Sequence, residues 1–354
     1  MKKIMQLLCF VLLLIASTTV SHAQGQLTTG VQTSSLDSSI TNWVHSSSDM
    51  NRKFYAVTYW VSGDDCGNYL KIYNATTFAP TSGQVLISLH HAFTRVRIDN
   101  DNNIYVLYTD RTFPGSTSYK TYIKKYNSAG VQIGSRVQVT SSTLASDIEV
   151  ASNGDVLVGC MEGFNARVKV FRNMLYKGYL PLENINTSYP FALQMDMKGD
   201  KFVVGYSTKV GTSAQLKIKR FNYIPIFLFG SNLNVSSLHS NYSETGKNFV
   251  VTSNQIALRD NWDVFYVSKE GITSAIYKTK KLTTGSLSVF DTGNAKVDVD
   301  ISNRLIISKN YGSAGSENNK VKLFSDTNTL IHEYDLSSKI KNDFESLAIY
   351  DCEF

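Results

Sequence analysis

Hydrophobic and polar positions follow the same pattern at five places along the chain. In each place an apolar, any, apolar triplet leads into a polar turn, and a run of apolar residues follows. The segments are "VRIDNDNNIYVLY" from Val96, "IEVASNGDVLVGC" from Ile148, "LQMDMKGDKFVVG" from Leu193, "IALRDNWDVFYVS" from Ile256 and "VDVDISNRLIISK" from Val297. Period-two alternation is typical of a half-buried strand, and a continuous apolar run is typical of a fully buried one. Asn, Asp, Gly and Ser suit tight turns. Each segment is therefore predicted to form a β-hairpin.

A second repeated element lies downstream of the hairpins and ends in an aromatic residue followed by a turn. Its copies read "YLKIYNATT", "YIKKYNSAG", "RVKVFRNML", "LKIKRFNYI" and "KVKLFSDTN". This element predicts a third strand, and variable stretches such as "QIGSRVQV" leave room for a fourth. Repeated four-stranded units are typical of β-propeller blades. No stretch has a helical period of useful length. We therefore predict an all-β fold, a six-bladed β-propeller of four-stranded antiparallel blades.

The two ends of the repeat region predict how the ring closes. "FYAVTYW" from Phe54 has the pattern of a second strand, whereas the final "SLAIYDCEF" has that of an innermost strand. Pairing of Ser346–Asp351 with Phe54–Trp60 would remove open strand edges from the ring. The rival for the innermost position is "NWVHSSSDM", which puts Ser46 and Ser48 at apolar positions. We therefore predict closure by the C-terminal strand.

The segments "IDNDNNIYVLYTD" and "MDMKGDKFVVGYS" resemble the NHL and SBBP families of propeller repeats. These families share an Asp-rich or Gly-rich turn followed by a strand of Tyr and Val. The resemblance recurs along almost the whole chain after about residue 50. It implies a propeller, and it implies a binding or scaffold module more often than an enzyme. Propellers serve many functions, so the resemblance alone does not define an activity.

The first residues, "MKKIMQLLCFVLLLIASTTVSHAQ", have the pattern of a secretory signal peptide. Lys2 and Lys3 precede an apolar run, and small residues form a cleavage site that ends at Ala23. The run is shorter than the roughly 20 residues of a spanning helix, so no direct membrane insertion is predicted. The expected organisation is a signal peptide over residues 1–23, an N-terminal extension over 24–50 and one propeller domain over 51–354. The protein is expected to be exported, either to the periplasm or to the medium.

Charge and cysteine content narrow the partners and the chemistry. The formal net charge is +6, without a dense Lys/Arg run, which predicts no nucleic-acid partner. Cys160 ends a buried strand and is predicted to be a packed thiol rather than a nucleophile. Cys66 and Cys352 are expected at opposite ends of a hairpin. A strand spans about 20 Å and a disulfide needs Cα atoms within about 7 Å, so both thiols are predicted to be free.

The stretch "IDNDNNIYVLYTD" also has the alternating carboxylates of a calcium loop. Asp99, Asp101 and Asn103 alternate, and Asp110 takes the twelfth position counted from Asp99. However, Ile104 occupies the position where a calcium loop requires glycine, and the other hairpins lack the carboxylates. The stretch is predicted to be a structural turn, and the chain is predicted to hold no metal or cofactor.

One face of a propeller carries the loops from second to third strands and the loops between blades, and it is the usual place for ligands. The candidate ligand-binding residues on this loop face are Asp64, Asp65, His90, His91, Asp110, Arg111, Glu162, Lys269, Glu270 and Tyr311. The adjacent histidines would point opposite ways on an extended segment, which disfavours a shared metal ion. The sequence contains no GxSxG elbow and no HExxH motif, so no catalytic residue is predicted.

A second set of candidates is expected to face the central channel. It comprises Arg97, Glu149, Asp196, Arg259, Asp298 and Asp300. Arg97 and Glu149 belong to neighbouring blades at one level, which predicts an ion pair. Arg259 is expected to lie between Asp196 and Asp300, because buried charges are normally paired. The alternative is that the two acids line a ligand or cation site and that Arg259 binds an anion.

Two classes of function agree with this sequence. The first is a non-catalytic binding or scaffold module that holds a protein or glycan of the cell envelope or surface. The second is a polysaccharide lyase or hydrolase with a polar site at the channel mouth, for which a pair of carboxylates about 5–10 Å apart would be expected. The sequence shows no converging acid–base set, which favours the first class.

Overall fold

The computed structural model contains strands and turns throughout the part of the chain that it describes. The described residues are 43–61, 67–89, 94–111, 119–140, 145–162, 165–184, 192–210, 213–224, 236–249, 255–270, 276–293, 295–311 and 318–335. Their strands form six antiparallel sheets that are arranged as the blades of a β-propeller, as predicted.

The blades follow one another along the chain, and the strand that comes first in each blade lies nearest the axis. Blade one contains β1 (Trp43–Met50), β2 (Phe54–Val61), β3 (Gly67–Asn74) and β4 (Val85–Ser88). Blade two contains β5 (Thr94–Ile98), β6 (Ile104–Arg111), β7 (Tyr119–Tyr126) and β8 (Val137–Thr140). Blade three contains β9 (Ala145–Val150), β10 (Val156–Glu162), β11 (Asn165–Arg172) and β12 (Leu175–Asn184).

The other three blades repeat this order. Blade four contains β13 (Ala192–Lys198), β14 (Lys201–Val210), β15 (Ser213–Tyr223) and β16 (Ser236–Thr245). Blade five contains β17 (Lys247–Phe249), β18 (Ile256–Leu258), β19 (Val264–Glu270), β20 (Ile276–Leu282) and β21 (Leu287–Thr292). Blade six contains β22 (Ala295–Val299), β23 (Leu305–Tyr311), β24 (Asn318–Phe324) and β25 (Leu330–Asp335). In blade five, β17 and β18 both pair with β19, so the innermost position is divided between two short strands.

In blades two to six, the hairpins that join first to second strands contain a residue in the left-handed region of φ. This residue is Asn102, Gly154 or Asn303 in three of the blades, with φ between 62° and 79°. Asn and Gly tolerate this conformation, which explains the turn composition seen in the sequence. In blade five the same place is taken by Trp262, with φ of 69°. Its ring stacks on His239, with the ring centroids 4.1 Å apart, which compensates for the strained backbone.

The candidate calcium loop is one of these turns. Asp99 Oδ1 accepts a 2.7 Å hydrogen bond from the backbone N–H of Asn103. Asp99 Oδ2 accepts bonds from the Asn103 side chain at 2.7 Å and from the Tyr105 hydroxyl at 3.2 Å. Asp110 lies at the far end of β6, where it accepts a bond from Ser88. Asp99 therefore closes the turn, as predicted.

Apolar side chains fill the interfaces between consecutive blades. One cluster joins Leu107 and Ile123 of blade two to Ile148 and Cys160 of blade three, and comparable clusters connect the other consecutive blades from one to six. Cys160 is fully buried in this cluster and burial raises its pKa to about 12, so it is a packed thiol, as predicted. Cys66 and Cys352 lie outside the described residues.

The prediction of closure by the C-terminal strand is wrong for the first blade. The innermost place beside β2 belongs to β1, which pairs Ser48 with Val57 and Met50 with Tyr55. Residues 43–50 of the expected N-terminal extension are thus part of the blade. Serine is accepted there because its hydroxyl finds partners. The buried Ser48, at an expected apolar position, is hydrogen-bonded to the Tyr55 side chain, and Ser47 Oγ accepts a 3.2 Å hydrogen bond from the N–H of Val96 in the next blade. Residues 336–354 and the expected signal peptide lie outside the described residues.

The described part of the chain contains no helix, and so no helix that is long and apolar enough to cross a membrane.

Candidate functional site

The innermost strands of all six blades surround a central cavity with a volume of about 210 Å³. Among the described residues, its charged lining consists of five acidic side chains and one basic side chain. They are Asp49, Asp147, Glu149, Asp196, Asp298 and Arg97. The cavity is therefore strongly acidic, although the whole chain has a positive formal charge.

Three of these acids connect one blade to the next, and we call them the bridging aspartates: Asp49, Asp147 and Asp196. Each carboxylate accepts the backbone N–H of the residue that follows it in its own strand. Each also accepts a backbone N–H from the innermost strand of the following blade. These second donors are Ile98 at 2.6 Å, Met195 at 2.8 Å and Leu258 at 2.6 Å, respectively. Since an innermost strand is a sheet edge, the bridging aspartates satisfy edge donors that would otherwise need water.

Asp298 of blade six repeats only half of this arrangement. Its Oδ1 accepts the N–H of Val299 at 2.7 Å, as the bridging aspartates do within their own strands. Its Oδ2 accepts no hydrogen bond from any residue that the structure describes. Asp298 therefore projects a carboxyl oxygen into the cavity, and none of the described residues donates to it.

The predicted ion pair between Arg97 and Glu149 is present. Arg97 Nε and Nη2 both donate to Glu149 Oε1, at 2.9 and 2.7 Å, and Nη2 lies 3.7 Å from Asp147. Burial lowers the pKa of Arg97, but attraction to Glu149, Asp147 and Asp49 outweighs burial and raises the pKa above its ordinary value. Arg97 is therefore charged, and it joins blade two to blade three.

The remaining acids of the cavity bind protons more readily than free aspartate does. Burial raises the pKa of Asp196 to about 6, against opposing hydrogen bonds from Leu258 and Met197 and attraction to Arg97. Burial also raises the pKa of Asp298 well above its ordinary value, and repulsion from Asp196 and Asp49 adds to the rise. The net charge of the cavity therefore changes with pH in the mildly acidic range.

The predicted placement of Arg259 between Asp196 and Asp300 is wrong. Arg259 is fully buried, but it reaches blade six and donates to the carbonyl oxygens of Ser325 and Asp326 at 2.8 and 2.7 Å. Asp300 pairs instead with Arg304 at 2.7 Å. Neither Arg259 nor Asp300 lines the cavity. Arg259 thus supports an interface between blades, as the structural interpretation expected, but with different partners.

Turn geometry explains why Arg259 and Asp300 do not line the cavity with Asp196, although the three residues align in the sequence. Arg259 and Asp300 come directly after the last residues of β18 and β22, so they begin a turn. Strand alternation, on which the prediction rested, ends there. Blade four instead has a tight turn in which Lys198 pairs with Lys201, so Asp196 remains inside β13 and faces the cavity.

Three acidic candidates of the loop face are neutralised within or beside their own blades. Asp110 pairs with Arg136 at 3.3 Å, and Glu162 pairs with Arg167 at 3.0 Å. Glu270 contacts three lysines. They are Lys247 at 3.0 Å, Lys278 at 2.9 Å and Lys280 at 3.2 Å. Burial opposes ionisation of Glu270, but these lysines lower its pKa to about 2. The described contacts thus give these acids a structural role.

The other loop-face candidates give less information. Lys269 lies in β19 beside Glu270, and the backbones of Arg111 and Tyr311 end β6 and β23. Asp64, Asp65, His90 and His91 lie outside the described residues. Their proposed ligand-binding role stays a prediction.

Six lysines that sequence reasoning did not single out occupy the same place in the third strand of each blade. Each stands two residues before the end of the third-strand motif. They are Lys71, Lys124, Lys169, Lys219, Lys280 and Lys322. Five of them contact the fourth strand of the preceding blade. Lys124, Lys169 and Lys219 donate to the carbonyl oxygens of Ile87, Val139 and Leu182, in that order. Lys280 and Lys322 contact the carboxylates of Glu244 and Asp291. The signal was present in the repeat alignment, because all six copies have Lys at one place.

Among the described residues, no group of three or more His, Cys, Asp or Glu side chains is arranged to hold a metal ion. The chemistry that the cavity itself offers is hydrogen-bond acceptance, attraction of positive charge and exchange of protons at Asp196 and Asp298.

Comparisons with known proteins identify the fold. No protein-family model and no curated protein matches the sequence. A PL25 ulvan lyase bound to -[GlcA(1-4)Rha3S]- shares 10% identity over 82% of this chain and 83% of its own, with a TM-score of 0.51. The polysaccharide lyase Uly1 also shares 10% identity, over 82% and 80%, with a TM-score of 0.50.

A third solved structure, a puromycin-hydrolyzing peptidase of Mycobacterium tuberculosis, shares 8% identity, with a TM-score of 0.52. The match covers 84% of this chain and 45% of the peptidase, so it spans about half of that protein. At these identities the likeness shows the propeller fold alone. The predicted six-bladed propeller is thus supported, whereas the resemblance to NHL and SBBP repeats in particular stays a prediction.

Proposed function

We propose that this protein is a non-catalytic binding module that holds a protein or glycan partner of the cell envelope or surface against a face of the propeller. The observation that carries the proposal is the central cavity. At about 210 Å³ it is smaller than the roughly 300–1,000 Å³ of ordinary small-molecule sites. Most of its carboxylates already bind neighbouring backbone or Arg97. Such a cavity suits the end of one partner side chain rather than a whole substrate.

The chemistry of the cavity favours a basic protein over a glycan. Its excess of carboxylates would attract Lys or Arg side chains and speed the encounter with a basic surface. No aromatic ring belongs to its described lining, so it offers no platform on which a sugar ring could stack. A basic side chain inserted at the channel mouth is the contact that fits best.

Export to the periplasm or the medium is part of this proposal. The basic start, the apolar run and the small-residue site near Ala23 support it. Cell fractionation combined with N-terminal sequencing tests it. The mature protein should begin near Gln24 in the envelope fraction or the medium, and an uncleaved chain in the cytoplasm would contradict export.

The partner is tested by affinity capture from envelope extract and culture medium, with bound proteins identified by mass spectrometry. The bait is residues 24–354, and the test variant combines Asp196→Asn with Asp298→Asn. Asp101→Asn, at an exposed turn, serves as the matched control. We expect a basic protein that the wild type and the control retain, that the double variant loses and that elutes with salt. Retention of the same proteins by all three baits would contradict the role of the cavity.

The second candidate function, a polysaccharide lyase or hydrolase, has one observation in its favour. Asp196 and Asp298 line one cavity with pKa values raised by burial, and neighbouring carboxyls held in different protonation states serve as acid and base in many enzymes. Against it, an acidic cavity repels a uronate polymer. Incubation with neutral and uronate polysaccharides, followed by sizing of the products, decides between the candidates. Cleavage that the double variant abolishes would establish the enzyme.

A further inference from the structure

The boundary between blades six and one differs from the other boundaries at the channel. Bridging aspartates connect blades one to two, three to four and four to five. The Arg97–Glu149 pair connects blades two and three. Asp260 and Asn303 bind each other in both directions, at 2.9 Å, between blades five and six. At the sixth boundary, Asp298 accepts the N–H of the next residue in its own strand, as a bridging aspartate does. It accepts no described N–H from the neighbouring blade.

The turn geometry shows why Asp298 lacks a second donor among the described residues. In blades one, two and five a backbone hydrogen bond closes the inner hairpin, donated by Asn51, Asp99 and Arg259, and the last strand pair before it contains Met50, Ile98 and Leu258. Met50, Ile98 and Leu258 are therefore equivalent. The N–H groups of Ile98 and Leu258 bind the aspartate of the preceding blade. The N–H of Met50 instead binds Asp49 of its own strand, so it is not available to Asp298.

The packing of apolar side chains also sets this boundary apart within the described part of the chain. The clusters of buried apolar residues join consecutive blades from one to six. The cluster of Val57, Tyr59 and Tyr73 lies within blade one. The contacts that hold the other boundaries together are thus reduced here.

We propose that the boundary between blades six and one is the joint at which the ring opens, and that a proton held between Asp298 and Asp49 closes it. With both groups ionised, the two carboxylates, which line the same cavity from neighbouring blades, repel each other. With Asp298 protonated, its O–H can donate to Asp49, which replaces the missing backbone bond by a carboxyl–carboxylate bond. The proposal does not depend on the identity of the partner.

The surroundings of Asp298 support proton uptake there rather than elsewhere. The charged groups that act on it are Asp49 from β1, Arg97 from β5 and Asp196 from β13. The neighbouring strands β18 and β19 present Ala257, Phe265 and Val267 to blade six, so they supply no counter-charge. Burial and the two acids raise the pKa of Asp298 well above its ordinary value, and Arg97 is already paired with Glu149.

Amide hydrogen exchange measured from about pH 5 to pH 8, corrected for the intrinsic rate, tests the joint. The reporters are the amides of residues 48–50 and 297–299. The amides of Ile148 and Met195, which bind Asp147 at the bridged boundary between blades three and four, are the internal control. We expect protection of the reporters to fall at least about tenfold as the pH rises, because each pKa unit of differential binding is a factor of ten. The control amides should change much less.

Asp298→Asn is the matching variant, because its amide can donate to Asp49 at every pH. In this variant the reporters should stay protected across the range, whereas Asp101→Asn should behave as the wild type does. Equal protection of reporters and controls at every pH in the wild type would overturn the proposal. An unchanged pH dependence in Asp298→Asn would also overturn it. If this variant does not fold, the comparison within the wild type still decides.

Discussion

The ammonium group of Lys124 in blade two donates a 2.7 Å hydrogen bond to the carbonyl oxygen of Ile87 in the fourth strand of blade one. The same contact recurs from blade to blade, with a carbonyl or a carboxylate as the acceptor. Fourth strands are the outer edges of the sheets, so their polar groups would otherwise face solvent. Each of the five lysines with this contact therefore links the outer strand of one blade to the third strand of the next.

Replacement of Lys124 by Met should lower the free energy of unfolding by about 1.5–3 kcal/mol, the range for a hydrogen bond to a charged group. Lys125→Met is the matched control. Its side chain points to the opposite face of the same strand and lies 5.4 Å from the ring of Tyr105, a contact worth about 0.5–1 kcal/mol. Urea denaturation of both variants gives the comparison. Equal losses would show that the contact with Ile87 contributes nothing of its own.

Arg97→Met should be among the more damaging single substitutions in the channel. It leaves Glu149 and Asp147 buried without their counter-charge, which typically costs about 3–5 kcal/mol. Lys320→Met removes an exposed ion pair with Glu333 and should change the stability little, because solvent screens such a pair. Adding Glu149→Gln to Arg97→Met should restore part of the stability, as measured by thermal denaturation. No restoration would mean that repulsion from Glu149 is not the cause of the loss.

The stability of the protein should fall as the pH rises through the range in which Asp196 ionises. Its pKa is about 6 in the folded protein and about 4 in an unfolded chain. The folded state therefore binds the proton more tightly. The contribution of Asp196 is fully present below about pH 4 and is lost as the pH rises through 6. Two pKa units correspond to at most about 3 kcal/mol.

Asp196→Asn removes this titration and isolates its effect. Relative to the wild type, the variant should gain stability between about pH 4 and pH 7. One backbone N–H loses its side-chain acceptor, at a cost of about 1 kcal/mol. Asp200→Asn, at the exposed turn of the same hairpin, is the control and should give no such trend. Denaturation series at several pH values test the sign. A difference between Asp196→Asn and the wild type that does not vary with pH would contradict the raised pKa.

Gly159→Ala should destabilise the protein, although alanine usually improves a strand. A methyl group at Gly159 would lie 2.1 Å from Leu193 Cδ2 of blade four, and Leu193 is itself buried in the core. Overpacking of this kind costs about 1–3 kcal/mol. At Gly83→Ala, where nothing lies within 4 Å of the added methyl group, no loss is expected. If both substitutions proved neutral in calorimetry, blades three and four would have to be able to move apart.

Local patterns were sufficient to predict the blades but not every contact between them. The hairpins follow from period-two alternation, and the Arg97–Glu149 pair follows from two strands at one level. The same reasoning failed for the position of Arg259, because Arg259 lies one residue beyond its strand, where side chains no longer alternate. The innermost place of blade one went to a strand with serines because the burial of a polar group depends on its donors and acceptors. Asp49 and Asp147 could not be recognised, since their partners in the next blade are backbone N–H groups, which leave no side-chain pattern in the sequence.

The continuous order of the blades also bears on synthesis. Because each described blade is built from one stretch of chain, its strands can pair as soon as that stretch has left the ribosome, at about 5–20 residues per second. Blade two can then dock on blade one, and growth proceeds around the ring. The boundary between blades six and one forms last, between residues that are far apart in the chain. A nascent chain would therefore spend most of its synthesis as an open arc, with the channel carboxylates exposed to water until the final blade arrives.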